Sequence, residues 1–361
     1  MDDPAQFLQQ TGGLSLKEFL MTFWEVVNEE PFSDNWHIDV LTEELTEQAE
    51  RTARRIPKTH DTIINVPPGS TKTMICSVMF PAWCWTRWPG MRFICASYSA
   101  ALSLESAEKC RDVVRSELFQ AVFPDLYIKE DKDTKSNFRV VQKKYVSPGR
   151  APQLKAGGGR FSTSVGATVT GFHGDILIVD DPLNPEESVS DKGLERAKRW
   201  MTQTLPTRKT NKRVAPVILI MQRLHQGDPS GILLDNPKLT MRHICLPGEI
   251  RNYRDQVRPR EMVQYYRDDL LDPQRLDWTA LNELEAILGQ YGYAGQVGQN
   301  PTPPGGGMFK VDQLGILDAL PGPTLWEQTV RYWDKAGSEG HGAWTVGLKL
   351  IRLKNNKIVI T

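Results

Sequence analysis

Apolar residues along the chain alternate between two rhythms. Short, nearly continuous apolar runs occur at Thr62-Ile63-Ile64-Asn65-Val66, at Arg92-Phe93-Ile94-Cys95-Ala96, at Asp175 to Asp180 and at Val214 to Met221. Each has the length and bounding turns of a buried strand. Between them lie stretches with apolar positions three and four apart, Ala100 to Leu118 and about Glu187 to Gln203, which predict amphipathic helices. Two more helices precede the first strand. One spans 14–30 and is stopped by Pro31; the other runs from Trp36 to Arg55. A helical stretch after Lys72 contains Pro81, which predicts a kink or a split. Near-continuous apolar strands separated by helices imply an α/β fold, a mostly parallel sheet covered on both faces.

The rhythm breaks after about Pro247. Arg251 to Arg260 is polar and basic, and Pro301 to Gly307 (PTPPGGG) has the composition of an interdomain hinge. Beyond it, Val330 to Asp334, Ala343 to Leu353 and Lys357 to Thr361 read as three strands. Turns at Gly337 to Gly342 and Lys354 to Asn356 join them. A sequence that stops on a strand is expected to be a fragment of a longer protein.

Composition narrows the class without naming a chemistry. The 361 residues are 40% hydrophobic and 24% charged, an ordinary globular balance that makes two or three domains the prior. Lys plus Arg equals Asp plus Glu at 44 each, so a nucleic-acid partner has to be argued from local patches. No apolar run approaches the ~20 residues that cross a bilayer, and the acidic, polar start MDDPAQFLQQ is not a secretory signal. The five cysteines, Cys76, Cys84, Cys95, Cys110 and Cys245, form no CxxC pair. That pattern favours a reducing compartment over disulfides or structural zinc. The six histidines form no HExxH-like metal face.

The first apolar run leads into Val66-Pro67-Pro68-Gly69-Ser70-Thr71-Lys72-Thr73. A phosphate loop needs backbone amides, a lysine for the β- and γ-phosphates and a hydroxyl for Mg²⁺, placed between a strand and a helix. Lys72 and Thr73 supply the side chains, and Pro68, Gly69, Ser70 and Thr71 the loop. The usual GxxxxGK[ST] spacing asks for glycine where Val66 and Thr71 stand, so an ordinary turn is the competing reading. Asp180 and Asp181 end the strand ILIV, as a Walker B site requires: one acid orders Mg²⁺ and the next polarises the attacking water. Alone, Asp-Asp-Pro is also a common turn or cap. Loop and acid pair, in the right order on the right elements, point together to ATP hydrolysis.

Three further features are weaker. Gln222 and Arg223 follow the third apolar strand, where they either sense the γ-phosphate or simply leave the sheet. Arg196, Lys198, Arg199, Arg208, Lys209, Lys212 and Arg213 form a basic stretch. It is compatible with a phosphate backbone, although a solvated helix face is the commoner meaning. Asp334 ends a strand in RYWDKAG. A two-metal nuclease needs several acids converging on ions ~4 Å apart, and nothing after Asp334 supplies the partners.

In their order, these segments resemble the large subunit of tailed-phage DNA-packaging terminases. The likeness runs from about Trp36 to the end. It rests on INVPPGSTKT, FICASYSAALSLESAEKCRDVV, TSVGATVTGFHGDILIVDDPLNPEES, VILIMQRLHQGDPSG, YAGQVGQNPTPPGGGMFK and RYWDKAGSEGHGAWTVG. Terminase loops often lack the standard glycines. The resemblance implies residues 1–57 as a helical segment of the ATPase domain, 58–250 as its P-loop core, 251–307 as a lid or linker, and 308–361 as an incomplete RNase H-like nuclease domain. It implies an ATP- and Mg²⁺-dependent motor for double-stranded DNA, with cleavage by Mg²⁺ or Mn²⁺ only in the complete protein.

Its implied partners are the portal protein, the small terminase subunit and further copies in a ring on the portal, with no membrane. Its place is the host cytoplasm and, transiently, the portal vertex of the capsid. By carry-over Lys72 and Thr73 bind phosphate and Mg²⁺, Asp180 orders the metal, and Asp181 stands where a glutamate is usual. Gln222 falls in the coupling segment, and Asp334 matches the first nuclease ligand. The activating arginine stays open among Arg139, Arg150, Arg160, Arg208 and Arg223. A helicase-like remodelling ATPase and a nucleotide-gated portal-docking protein with little turnover are the competing expectations.

Overall fold

The computed structural model describes residues 13–144, 153–167, 169, 171–302, 315–334 and 346–361. The chain divides into two compact units, Met1–Pro304 and Gly305–Thr361.

The first unit is built on an eight-stranded sheet. Its strands are β1 (Asp61–Asn65), β2 (Arg92–Ser97), β3 (Leu126–Asp133), β4 (Asn137–Lys144), β5 (Gln153–Ser164), β6 (Ile176–Asp180), β7 (Val217–Met221) and β8 (Met241–Cys245). The order across the sheet is β3-β4-β5-β2-β6-β7-β1-β8. From β5 to β8 every pairing is parallel, whereas β3, β4 and β5 form an antiparallel edge. The mainly parallel α/β sheet expected from the apolar rhythm is what forms.

Alternation along the central strands explains why they must be covered on both sides. Ile176, Ile178, Ile218 and Ile220 join one core cluster, while Leu177, Val179, Val217 and Leu219 join another across the sheet. The first cluster is closed by α1 (Leu16–Phe23), α2 (Trp36–Ala53), the helix after the loop, α4 (Ala100–Arg115) and the short α5 (Glu117–Val122). The helix after the loop consists of a π-helical stretch, Met74–Met79, and α3 (Phe80–Arg87), so Pro81 does split it. Ser15 starts α1 with a capping box: its hydroxyl takes the Glu18 amide, and Glu18 returns the bond. The packing centre holds Trp85, edge-on to Phe93 and Phe138 at 5.7 Å each. The other face is covered by α7 (Asp191–Arg199), reached through α6 (Pro185–Ser188), and by a π-helical turn at Trp200–Thr204 and α8 (Pro229–Leu234).

Several elements depart from the sequence expectation. β3, β4, β5 and β8 were not marked by an apolar run, because their residues are charged or glycine-rich. In β5 the glycines are required by close approach: a Cβ on Gly158 would stand 1.7 Å from the Met91 carbonyl oxygen. The region after Pro247 also carries α9 (Trp278–Gln296), two helical segments that meet at a kink at Gly289 with φ 65° and ψ 171°. No helix among the described residues is long and apolar enough to cross a membrane.

The second unit contains a three-stranded antiparallel sheet, β9 (Trp326–Asp334), β10 (Val346–Leu353) and β11 (Ile358–Ile360), in the order β11-β10-β9. Asn356, with φ 65°, lies in the tight turn between β10 and β11. The expected turn at 337–342 lies outside the described residues.

Candidate active site

Parallel strands place their carboxyl ends along one edge, so the exits of β1, β6 and β7 are neighbours there. Asn65 closes β1 and is fully buried. Its amide donates to the Met221 carbonyl (3.0 Å) and Ser230 Oγ (2.9 Å), and its Oδ1 lies 2.9 Å from His243 Nε2. The start of the loop is thereby tied to both flanking strands. Burial, with the charges of Arg223 and Arg258, depresses the His243 pKa to about 4.

A folded pKa below the ordinary histidine value stabilises the fold fully above pH ~6.5, and that contribution is lost as pH falls through about 4. Between pH 7 and 4, wild type should therefore lose about 2–3 kcal/mol more stability than His243→Gln. Denaturant unfolding of both proteins at the two pH values checks this. Parallel losses would refute it.

The loop itself turns on two left-handed residues, Gly69 (φ 78°) and Thr71 (φ 64°). Thr71 occupies a position where the usual pattern has glycine, and a β-branched residue there carries strain of ~1–2 kcal/mol. The strain is held from outside. Arg275 donates to Thr71 Oγ1 and to the Ser33 carbonyl (3.1 Å). Ser70 bonds its hydroxyl to the Pro67 carbonyl (2.7 Å), and its own carbonyl takes His37 Nε2 at 3.1 Å. Burial lowers the His37 pKa, which keeps the ring neutral. Pro68 is half-buried, and Gly69 is open to solvent.

Lys72 begins the helix that follows. Its ammonium, buried with the side chain 8% exposed, lies 3.3 Å from Asp181 Oδ2 and 3.4 Å from Gln222 Oε1. Three strand ends thus meet at one lysine. Asp180 is buried, with Ser77 Oγ donating to its Oδ2 at 2.8 Å. Burial and the charge of Asp181 raise its pKa to about 6, against the opposite pull of Lys72, Ser77 and Thr73. Asp180 Oδ1 is buried and has no hydrogen-bond partner among the described residues. An orphaned carboxylate oxygen beside the Thr73 hydroxyl fits a hard cation such as Mg²⁺, which would compete with the proton there. Among the described residues no three His, Cys, Asp or Glu side chains gather into an all-protein metal cage. Mg²⁺ typically takes one or two protein ligands and completes its shell with water and phosphate.

Asp181 has φ 42°, left-handed for a non-glycine residue. Its amide donates to the Ile220 carbonyl (2.8 Å), and its carbonyl accepts from Tyr98 (3.0 Å). The Gln222 amide donates to its Oδ1 at 3.2 Å. Strand neighbours on both sides hold the strained backbone, and the carboxylate faces Lys72.

The remaining predicted residues divide. Arg223 does not join the lysine; its Nε bonds both Asp228 oxygens (3.0 and 2.9 Å), and Asp228 caps α8. Among the other arginines, Arg160 is fully buried, Arg208 donates to the Val169 carbonyl (3.3 Å) and Arg139 is exposed on β4. Arg150 lies outside the described residues. In the basic stretch, Arg196 pairs with Glu187, Lys198 with Glu195 (3.5 Å) and buried Lys209 with Asp61 (3.3 Å). Those three charges therefore have local partners. Asp334 ends β9, and its side chain lies outside the described residues.

Sequence reasoning missed Ser77, Arg275, His37 and Gln299, whose Oε1 takes the Arg223 amide at 3.0 Å. Ser77 had a usable signal: it follows Thr73 by four residues and shares its helix face.

No family model and no curated protein matches the sequence. Among solved structures, the fold is similar to the large terminase ATPase domain of Thermus phage P74-26. That likeness has a TM-score of 0.42 and 14% identity, and covers 78% of this chain and 97% of that one. A mutant of the same domain gives 0.44 at 14% identity, covering 78% and 98%. The large terminase of bacteriophage HK97 gives 0.45 at 10% identity, covering 96% of this chain and 66% of that one.

Proposed function

We propose that the first unit is a Mg²⁺-dependent ATP hydrolase. The observation that carries this reading is the convergence of Lys72, Asp181 and Gln222, from three strand ends, beside a buried Asp180 with an oxygen unpartnered among the described residues. Lys72 and the loop at the helix start would hold the β- and γ-phosphates. Thr73 and Asp180 would hold Mg²⁺, which when bound neutralises charge on the phosphate oxygens.

Asp181 is the acceptor for the attacking water's proton, and Gln222 orients the terminal phosphate or that water. Lys72 and Asp181 neutralise each other at 3.3 Å. An anionic phosphate drawing Lys72 away would release the carboxylate for water, so the acid is freed as substrate arrives.

The finer reading is a DNA-packaging motor of the terminase type, supported by the ordered sequence segments given above. It takes double-stranded DNA, a portal protein, a small subunit and a ring of copies as partners, and Asp334 as the first acid of a nuclease complete in a longer protein.

Steady-state phosphate release, with and without double-stranded DNA, tests the reading. ATP turnover that rises with DNA is the expected result. Nucleotide binding without turnover would favour the gated docking protein instead, a reading to which the Lys72–Asp181 pair lends some support. Unwinding of a forked duplex without a capsid would favour a helicase-like enzyme.

A further inference from the structure

Pro81 has no amide hydrogen, and in an α-helix its ring would strike the carbonyl four residues back, that of Ser77. The helix opens into its π-helical stretch there, with the Phe80 amide reaching the Ile75 carbonyl. The Ser77 carbonyl is taken by Arg160 Nη1 from β5. Arg160 is 1% exposed, and its other nitrogens donate to Ser162 Oγ (3.0 Å) and Ser106 Oγ (2.9 Å). A buried guanidinium among neutral oxygens is expensive to keep, so its retention needs a reason. The reason lies on the other side of Ser77, whose hydroxyl holds Asp180 Oδ2 at 2.8 Å and leaves Oδ1 with no hydrogen-bond partner among the described residues.

We propose that Ser77, presented by the turn that Pro81 opens and anchored by Arg160, is a positioning residue that fixes Asp180 with one oxygen free for the divalent cation. The proposal rests on the nucleotide-site reading above. Ser77 does not itself touch nucleotide or reacting atoms. It acts as outer-shell partners of metal ligands do, and loss of such partners commonly weakens metal binding 10- to 100-fold. A cavity of about 180 Å³ lined by Thr73, Ser77, Ser103, Ser106 and Asp180 leaves room for one methyl group at Ser77.

Mn²⁺ binding in the presence of saturating ADP, followed by the electron paramagnetic resonance of free Mn²⁺, tests it without relying on turnover. Ser77→Ala should weaken Mn²⁺ about tenfold while leaving ADP affinity in EDTA unchanged. Ser77→Thr keeps the hydroxyl and should stay within about twofold of wild type. Pro81→Ala supplies an amide that competes for the Ser77 carbonyl and should weaken Mn²⁺ severalfold.

Ser77→Ala binding Mn²⁺ as wild type does would overturn the proposal. So would an equal loss of ADP affinity in EDTA, which marks general damage to the fold, or a Thr variant as weak as the Ala one. Absence of Mn²⁺ binding by wild type with ADP would remove the site reading itself, and the proposal with it.

Discussion

Lys72→Ala should leave a folded protein that binds ATP at least about 100-fold more weakly and releases no measurable phosphate. Asp181 and Gln222 both face this lysine, at 3.3 and 3.4 Å. Truncating one partner of a buried charge pair typically costs 2–5 kcal/mol, and each 1.4 kcal/mol is tenfold in affinity. The loss is compounded because Asp180 and Asp181 then face an incoming polyanion without compensation. Asp180, already raised to about 6, would be pushed further up and hold its proton against Mg²⁺. Titration with a fluorescent ATP analogue, together with phosphate release, measures both effects. Hydrolysis at the wild-type rate would remove the phosphate-loop assignment.

The parts of this site that were legible in the sequence are those whose cause is local. β1, β2, β6 and β7 are buried on both faces, so they had to be written as apolar runs, and their ends carry Lys72, Asp180 and Gln222. The edge strands were illegible because an edge does not demand apolar residues: β3 reads LYIKEDKD and β8 reads MRHIC. β5 hid behind its glycines, which look like a loop and are there because the backbones of Val140, Met91 and Phe138 pass too close for a side chain.

What holds the loop and the end of β7 in shape was also out of reach, since its causes are distant in sequence. His37 meets Ser70 across 33 residues, Gln299 meets Arg223 across 76, and Arg275 meets Thr71 across 204. The missing glycine at position 71 looked like a defect in the motif. In the fold it is a strained threonine whose hydroxyl is the handle by which Arg275 grips the loop.

Asp181→Asn should separate binding from chemistry. The position demands φ 42°, and asparagine is among the residues that adopt a left-handed conformation most readily, so the backbone is kept. The amide oxygen can still accept from the Gln222 amide, as Oδ1 does at 3.2 Å. What disappears is a negative charge and a proton acceptor. Without that charge Lys72 loses its 3.3 Å carboxylate partner and is freer to meet the phosphates, and Asp180 loses a neighbour that raises its pKa. ATP affinity should therefore hold or improve. Turnover should fall ~10²- to 10⁴-fold, the usual contribution of a general base. Equilibrium binding and single-turnover hydrolysis on the same preparation read the two quantities apart. An equal loss of both would assign Asp181 to the metal or to the fold. Unchanged turnover would mean that the proton leaves by another route, and the short side chain would then be a partner of Lys72 and no more.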